Sequence, residues 1–360
     1  MSSPHTPLGP EPTCPPPVPN PTKPRHALPP LACDSHFHIF GPASRYPYAP
    51  SRTFTPHDAP KDRLFGLHKL LGFERGVFVQ ASCHGPDHAP VLEALKEAQG
   101  RYTWTLGLYG TPAMAKEAGL SFEAYWREIA KACFLDDADP IRRWRETFRE
   151  IGRIKRRLDG LEIERLHVEG DGIDITFTVG ADRRWLGGTG RNIPSFEVFT
   201  TPNARATEGV VTFTEPLHRY GSLIDGIRLS FEQGRIVEAT AKRNEELLRA
   251  MIASDEGAAR VGEISLTDGR LSPITRYMGE TLFDENRGGP EGNFHLAVGN
   301  AYKEAFRGDI VAQTRRDWRR LGFNESSVHT DIVSTARRTA TALLPSGRSK
   351  PIYADGRFLV

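Results

Sequence analysis

The sequence predicts two unlike parts: an α+β fold with mixed and antiparallel sheet from about residue 103 onward, and a short βαβα segment ahead of it. Three observations carry this. Apolar strands alternate with helical patterns between Leu31 and Gly100. Glycine-centred hairpins take over after Gly160. Twelve of the 28 prolines fall within residues 1–30, which marks that stretch as a polyproline-like, disordered tail without the apolar run of a secretory signal.

The βαβα segment follows in order. "LACDSHFHIF" (31–40) reads as a buried strand, and "KDRLFGLHKLLGFE" (61–74) places Leu64, Leu67, Leu70 and Leu71 at helical spacing. "RGVFVQAS" is a second apolar strand, and "DHAPVLEALKEAQG" a second helix closing at Gly100. Strands alternating with helices predict parallel pairing. Then "YTWTLGLYGTPAM" reads as a short strand and turn, and residues 120–135 as a helix. Asp139 followed by Pro140 predicts a helix start, since aspartate caps free amides and proline fits the first turn. From there Ile141, Trp144, Phe148, Ile151, Ile154 and Leu158 recur every three or four positions, an amphipathic helix whose arginines and glutamates form a solvated face. Hairpins follow around Gly170-Asp171-Gly172 and Gln233-Gly234, then a helix over "KRNEELLRAMIA".

Composition excludes several classes. A net charge of +2 offers no strong pull toward nucleic acid or an anionic membrane, and no run reaches the ~18 apolar residues of a membrane span. Four scattered cysteines form no CxxC pair, which argues against a disulfide framework and a cysteine zinc site and fits a reducing cytoplasm. "GGTGRN" (187–192) has neither a P-loop Lys-Ser/Thr nor dinucleotide-fingerprint spacing, and reads as a loop entering the strand of Glu197.

The chemistry-bearing residues of the second part are Glu197, Glu263, His295, His329 and Asp331, all in apolar or glycine-rich surroundings. In a strand, residues two apart share a face, so His329 and Asp331 can aim at one point. Three carboxylates and two imidazoles suit two divalent cations, one carboxylate bridging them. The pattern alone leaves the plainer reading open, of solvated glutamates and a core histidine.

"YGTPAMAKEAG", "GRNIPSFEVFTTP", "SLIDGIRLSFEQGRIVEATA", "DEGAARVGEISLTD", "LFDENRGGPEGNFHLAVGNAY" and "FNESSVHTDIV" closely resemble the aminopeptidase T and aminopeptidase S family of metallo-aminopeptidases, over about residues 103–360. The resemblance implies a cytoplasmic, commonly dimeric exopeptidase with two zinc- or cobalt-class ions. It would hydrolyse the N-terminal bond of peptide substrates through a metal-bound hydroxide. It also implies that Glu197, Glu263, His295, His329 and Asp331 are the metal ligands, with Glu263 bridging. Tyr302 matches a tyrosine that stabilises the tetrahedral intermediate. No general base is assigned; Asp255 and Glu256 lie nearby in sequence but also suit a turn.

"CDSHFHIFGPASRYPYAP" and the stretch from "TPHDAP" to "LEALKEA" resemble the start of the 2-pyrone-4,6-dicarboxylate lactonases of the amidohydrolase superfamily, which are eight-stranded (β/α) barrels. His36 and His38 match that family's paired histidines, and Ser82 and His84 a substrate-binding strand end. Only about residues 31–101 are covered, two βα units of eight, and such barrels draw catalytic groups from several strand ends. The strands bearing the catalytic aspartate and the arginines are missing, so these four residues are expected to be relics of an incomplete barrel. The organisation implied is a tail (1–30), a lactonase-like fragment (31–102), a remnant of the aminopeptidase N-terminal region (103–185) and a catalytic domain (186–360), fused at about residues 100–104. Two alternatives stand beside the aminopeptidase: an amidohydrolase-type lactonase, and an inactive fusion of two hydrolases.

Overall fold

The computed structural model describes residues 12–50, 52–85, 88–92, 105–310 and 312–360. The chain divides between Thr105 and Leu106 into two compact units. The expected junction at residues 100–104 and most of the helix expected over 87–100 lie outside the described residues.

In the first unit, residues 12–30 contain no helix or strand, although Thr13 exchanges hydrogen bonds with Thr55 at 2.8 and 2.9 Å. Strand β1 (Cys33–Phe37) pairs parallel with β2 (Arg75–Phe78), and α1 (Lys61–Leu71) connects them. Gly72 ends α1 at φ +87°, a conformation that costs glycine nothing sterically. Among the described residues β1 and β2 pair only with each other, so no barrel closes.

The second unit opens with three helices: α2 (Pro112–Glu117), α3 (Phe122–Ala132) and α4 (Pro140–Asp159). The strand expected around residues 102–108 does not form among the described residues; Leu106 makes only an isolated bridge to Asn192. Thr111, Ser121 and Asp139 each accept a backbone amide at a helix start, as capping residues should. Along α4, Ile151, Ile154 and Leu158 are at most 1% exposed, each contributing ~1.5–3 kcal/mol of apolar burial. Ile141, expected on the same stripe, lies in the first turn and is 65% exposed.

Two sheets follow. The larger has eight strands. It contains β3 (Arg165–Gly170), β4 (Ile173–Thr178) and β6 (Thr207–Thr212), then β9 (Arg228–Glu232) and β10 (Arg235–Thr240), and finally β14 (Arg338–Leu343), β15 (Ser349–Ala354) and β16 (Arg357–Phe358). Their spatial order is β10-β9-β6-β4-β3-β14-β15-β16, so strands from both sides of residue 185 share one sheet. The smaller sheet orders β13 (His329–Ser334), β12 (Asn293–Gly299), β11 (Val261–Thr267) and β5 (Glu197–Thr200), all antiparallel. A hairpin of β7 (Leu217–Arg219) and β8 (Ser222–Ile224), with helices α5 (Glu245–Ile252), α6 (Thr281–Asp284) and α7 (Arg315–Arg320), fills the connections. Every residue of β11 and β12 is buried, the polar Glu263, Ser265, Thr267, Asn293 and His295 included. No described helix is long and apolar enough to cross a membrane.

Candidate metal centre

The smaller sheet aligns the predicted ligands by register. Glu263 lies opposite Ala297, which lies opposite Asp331; one row away, Ser265 lies opposite His295. Residues directly opposite share a face, and so do residues two apart along a strand. Glu263, His295, His329 and Asp331 therefore rise from one face of three adjacent strands, with Glu197 joining from β5. Ala297, small and fully buried, leaves the space between Glu263 and Asp331 open. An irregularity in pairing between Val261 and Glu263 re-aims the chain just ahead of Glu263. Gly262 permits this: a Cβ there would stand 2.2 Å from the Asn300 carbonyl oxygen.

Donor atoms of Glu197, Glu263 and His295 lie within 4.8 Å of one another, and so do those of Glu263, His329 and Asp331. Glu263 belongs to both groups. Its Oε1 is 3.4 Å from His295 Nε2 and its Oε2 3.6 Å from His329 Nε2. Glu197 Oε2 lies 3.3 Å from His295 Nε2, and Asp331 Oδ1 lies 3.7 Å from His329 Nε2. Each imidazole is held from behind. His295 Nδ1 donates to the Glu285 carbonyl at 3.1 Å, and His329 Nδ1 to the Asn300 carbonyl at 2.8 Å. That fixes both rings with Nε2 toward the carboxylates, the tautomer a metal-ligating histidine needs.

The electrostatics ask for positive charge. Burial, together with the charges of Glu197 and Asp331, pushes Glu263 up to about 7. Burial would lower His295, but hydrogen bonds to Glu197 and Glu263 and the charge of Asp331 raise it well above the ordinary imidazole range. Among the described residues no lysine or arginine is ion-paired to these carboxylates. Buried carboxylates without a partner are costly, and lone pairs facing one another across 3–4 Å repel. Either protons or cations must fill the gap, and this all-oxygen-and-nitrogen donor set fits divalent cations.

The structure adds a residue that the sequence reading missed. Glu285, fully buried just after α6, has its pKa raised by burial and then by Glu197 and Asp331, so its carboxyl belongs to the same electrostatic cluster. Its carbonyl is pinned by His295 and by Asn293 Nδ2 at 3.0 Å. The available signal was the acidic pair in "LFDENRGG", ahead of the strand of His295; strand alternation does not mark a loop residue. Tyr302 follows β12, its ring edge-on to His329 at 5.0 Å. Although 40% exposed, its phenol is held above the ordinary range by desolvation and by Glu263, Asp331 and Glu197. Asp255 serves a turn: its carboxylate accepts from the Gly257, Ala258 and Ser327 amides and from two serine hydroxyls.

In the first unit, His36 Nε2 and His38 Nε2 approach to 3.2 Å, and His38 Nδ1 meets the Val79 carbonyl at 2.9 Å. Ser82 opens a single 3₁₀ turn, and buried His84 accepts from the Gly41 amide.

Comparison with known proteins finds two families along the chain, with overlapping bounds. The family described as thermophilic metalloprotease (M29) matches residues 88–358, and the amidohydrolase family matches residues 33–120. Aminopeptidase T of Thermus thermophilus is 33% identical over 291 residues, covering 76% of this chain and 69% of its own. A 2-pyrone-4,6-dicarboxylate hydrolase of Comamonas testosteroni is 48% identical over 82 residues, 23% of this chain and 27% of its own. The solved structure of wild-type AmpT from Thermus thermophilus superposes with a TM-score of 0.68 at 25% identity, covering 92% of this chain and 94% of that one.

Proposed function

The chain belongs to the M29 family of thermophilic metalloproteases, and from that premise we propose that it is an aminopeptidase working with two divalent cations of the zinc or cobalt class. The observation that carries the two-ion reading is the sharing of Glu263 between two donor groups. Glu197, Glu263 and His295 would hold one ion, and Glu263, His329 and Asp331 the other. When bound, such a pair activates a water and polarises a carbonyl oxygen.

The remaining roles fall to the chain itself. Tyr302 keeps its proton across the neutral range and donates to the oxygen that becomes negative as the peptide carbonyl turns tetrahedral. The Glu285 and Asn300 carbonyls hold the imidazoles in orientation. We place the protein in the cytoplasm, consistent with its four free cysteines, and take its peptide-cleaving form to be a homodimer.

The amidohydrolase match at residues 33–120 supports a lactonase-like origin for the early part of the chain, and we keep the organisation given above, a tail (1–30), a lactonase-like fragment (31–102), an aminopeptidase remnant (103–185) and a catalytic region (186–360), joined by fusion. His36, His38, Ser82 and His84 are then remnants outside the peptidase chemistry. The test is hydrolysis of leucine p-nitroanilide by chelator-stripped protein, before and after zinc or cobalt is restored. Ion-restored activity that is lost in Glu263→Ala and retained in His36→Ala supports the proposal. Activity indifferent to chelation and to Glu263→Ala overturns it.

A further inference from the structure

A cleft of about 750 Å³ opens at one end of the smaller sheet, within the ~300–1,000 Å³ typical of ligand sites. Three of the segments that wall it are strand ends: Gly257 and Arg260 precede β11, Asn300 and Lys303 follow β12, and Asn324–Ser327 precede β13, while Arg205, Arg315 and Arg319 come from other segments. These are the strand ends nearest Glu263, His329 and Asp331. Asn300 joins the two places, lining the cleft while its carbonyl takes the hydrogen bond from His329. Tyr302, edge-on to His329, directly precedes Lys303.

The cleft is electropositive. Its carboxylates are Asp255, Glu256 and Glu325, set against Arg205, Arg260, Lys303, Arg315 and Arg319. Asp255 is engaged by serine hydroxyls and backbone amides, and Glu325 by Arg315 at 2.8 Å and Lys303 at 3.5 Å. Among the described residues, Arg205 and Arg260 donate only to backbone carbonyls, of Arg320 at 2.9 Å and of Ala204 at 3.1 Å and Gln233 at 3.5 Å. Exposed Arg319 forms no ion pair among the described residues. Three guanidinium charges thus face the cleft without a carboxylate partner, and a guanidinium fork matches a carboxylate in geometry as well as charge.

We propose that this cleft receives the C-terminal carboxylate of a short peptide whose N-terminal bond lies at the metal centre, making the enzyme prefer short free-acid peptides over amidated ones. The inference rests on the aminopeptidase reading. The metal centre would hold the first peptide carbonyl, the arginine-rich cleft suits the carboxylate, and the extended chain between them spans at most ~3.5 Å per residue.

The experiment compares Leu-Gly-Gly and Leu-Gly-Gly-Gly-Gly, each as free acid and as C-terminal amide, by leucine release from the ion-loaded protein. For at least one length the acid should show a KM lower by about fivefold at low ionic strength, an advantage that shrinks as salt screens the exposed arginines. Arg319→Gln, alone and with Arg205→Gln, should bring the acid-to-amide ratio toward one. Equal KM for acid and amide at both lengths, or a ratio that both variants leave unchanged, overturns the proposal. Leucine p-nitroanilide, which has no carboxylate, separates the two levels. If it is hydrolysed while the ratio is one, only the cleft assignment fails; if it is not hydrolysed at all, the aminopeptidase reading fails with it.

Discussion

Removing cations from the carboxylate cluster should destabilise the protein, and Glu263→Gln should reverse part of that loss. Glu263 and Asp331 offer oxygens within 4.8 Å of each other, inside a buried sheet face. At an effective dielectric of 20, two unit charges at that distance repel by ~3.5 kcal/mol. Without ions the protein escapes this only by taking up protons, as the raised position of Glu263 at about 7 reflects. An ion supplied at about a hundred times its Kd adds ~2.7 kcal/mol to the folded state. For a cooperative unit of this size that moves Tm by about 5–11 °C. In Glu263→Gln one negative charge is gone, so the ion-free variant should melt at or above ion-free wild type. Its ion-dependent rise should fall to a few degrees, because the shared ligand is lost. Differential scanning calorimetry of chelated and zinc-loaded protein at pH 8 reads both quantities. The reasoning is refuted if zinc leaves the wild-type Tm unchanged, or if Glu263→Gln lowers Tm equally with and without zinc.

Other outcomes follow from the same geometry. Tyr302→Phe should lower kcat on the order of 10²-fold while bound metal, read by elemental analysis, stays at the wild-type ratio. Gly262→Ala, whose Cβ would meet the Asn300 carbonyl at 2.2 Å, should lower Tm and metal content together; unaltered metal content would show that the strand irregularity does not aim Glu263. Burial would raise Asp255, but hydrogen bonds from Ser327 and Ser326 hold it down to about 2. Its folded value lies below its unfolded one, so its stabilisation is present above about pH 4 and fades as pH falls toward 2. The Tm gap between wild type and Asp255→Ala should therefore narrow over that window, and a gap independent of pH would contradict the assignment. In the source cells, digestion at lysine should yield the peptide Glu97–Lys116, which spans the proposed junction; intact forms of both parent proteins in its place would mean that no fusion is made.

Much of the architecture is local and therefore legible in one dimension. Asp139-Pro140 caps α4, and its three- and four-residue spacing buries Ile151, Ile154 and Leu158. Gln233-Gly234 turns the β9–β10 hairpin at positive φ. Alternation along "HTDIVS" puts His329 and Asp331 on one face, as strand periodicity requires. Composition likewise marks the proline-rich start and the change of texture near residue 100. Residue types and their order along the chain suffice for these features, because each depends on neighbours a few positions away.

Tertiary structure decided what depends on register between distant strands. Only the pairing of β11 with β12, and of β12 with β13, brings Glu263 beside both imidazoles, and only their largely buried shared face turns five polar residues into a cluster that needs cations. Glu285 was invisible for the same reason: it sits in a loop with no periodicity, and its place among the carboxylates comes from the folding of residues 281–295 over the sheet. The arginine-lined cleft, too, is assembled from segments more than a hundred residues apart, Arg205 and Arg319 among them. Sequence spacing reports the period of one strand or helix. It carries no information on which strands become neighbours, because that choice is made by the burial of apolar surface across the whole unit.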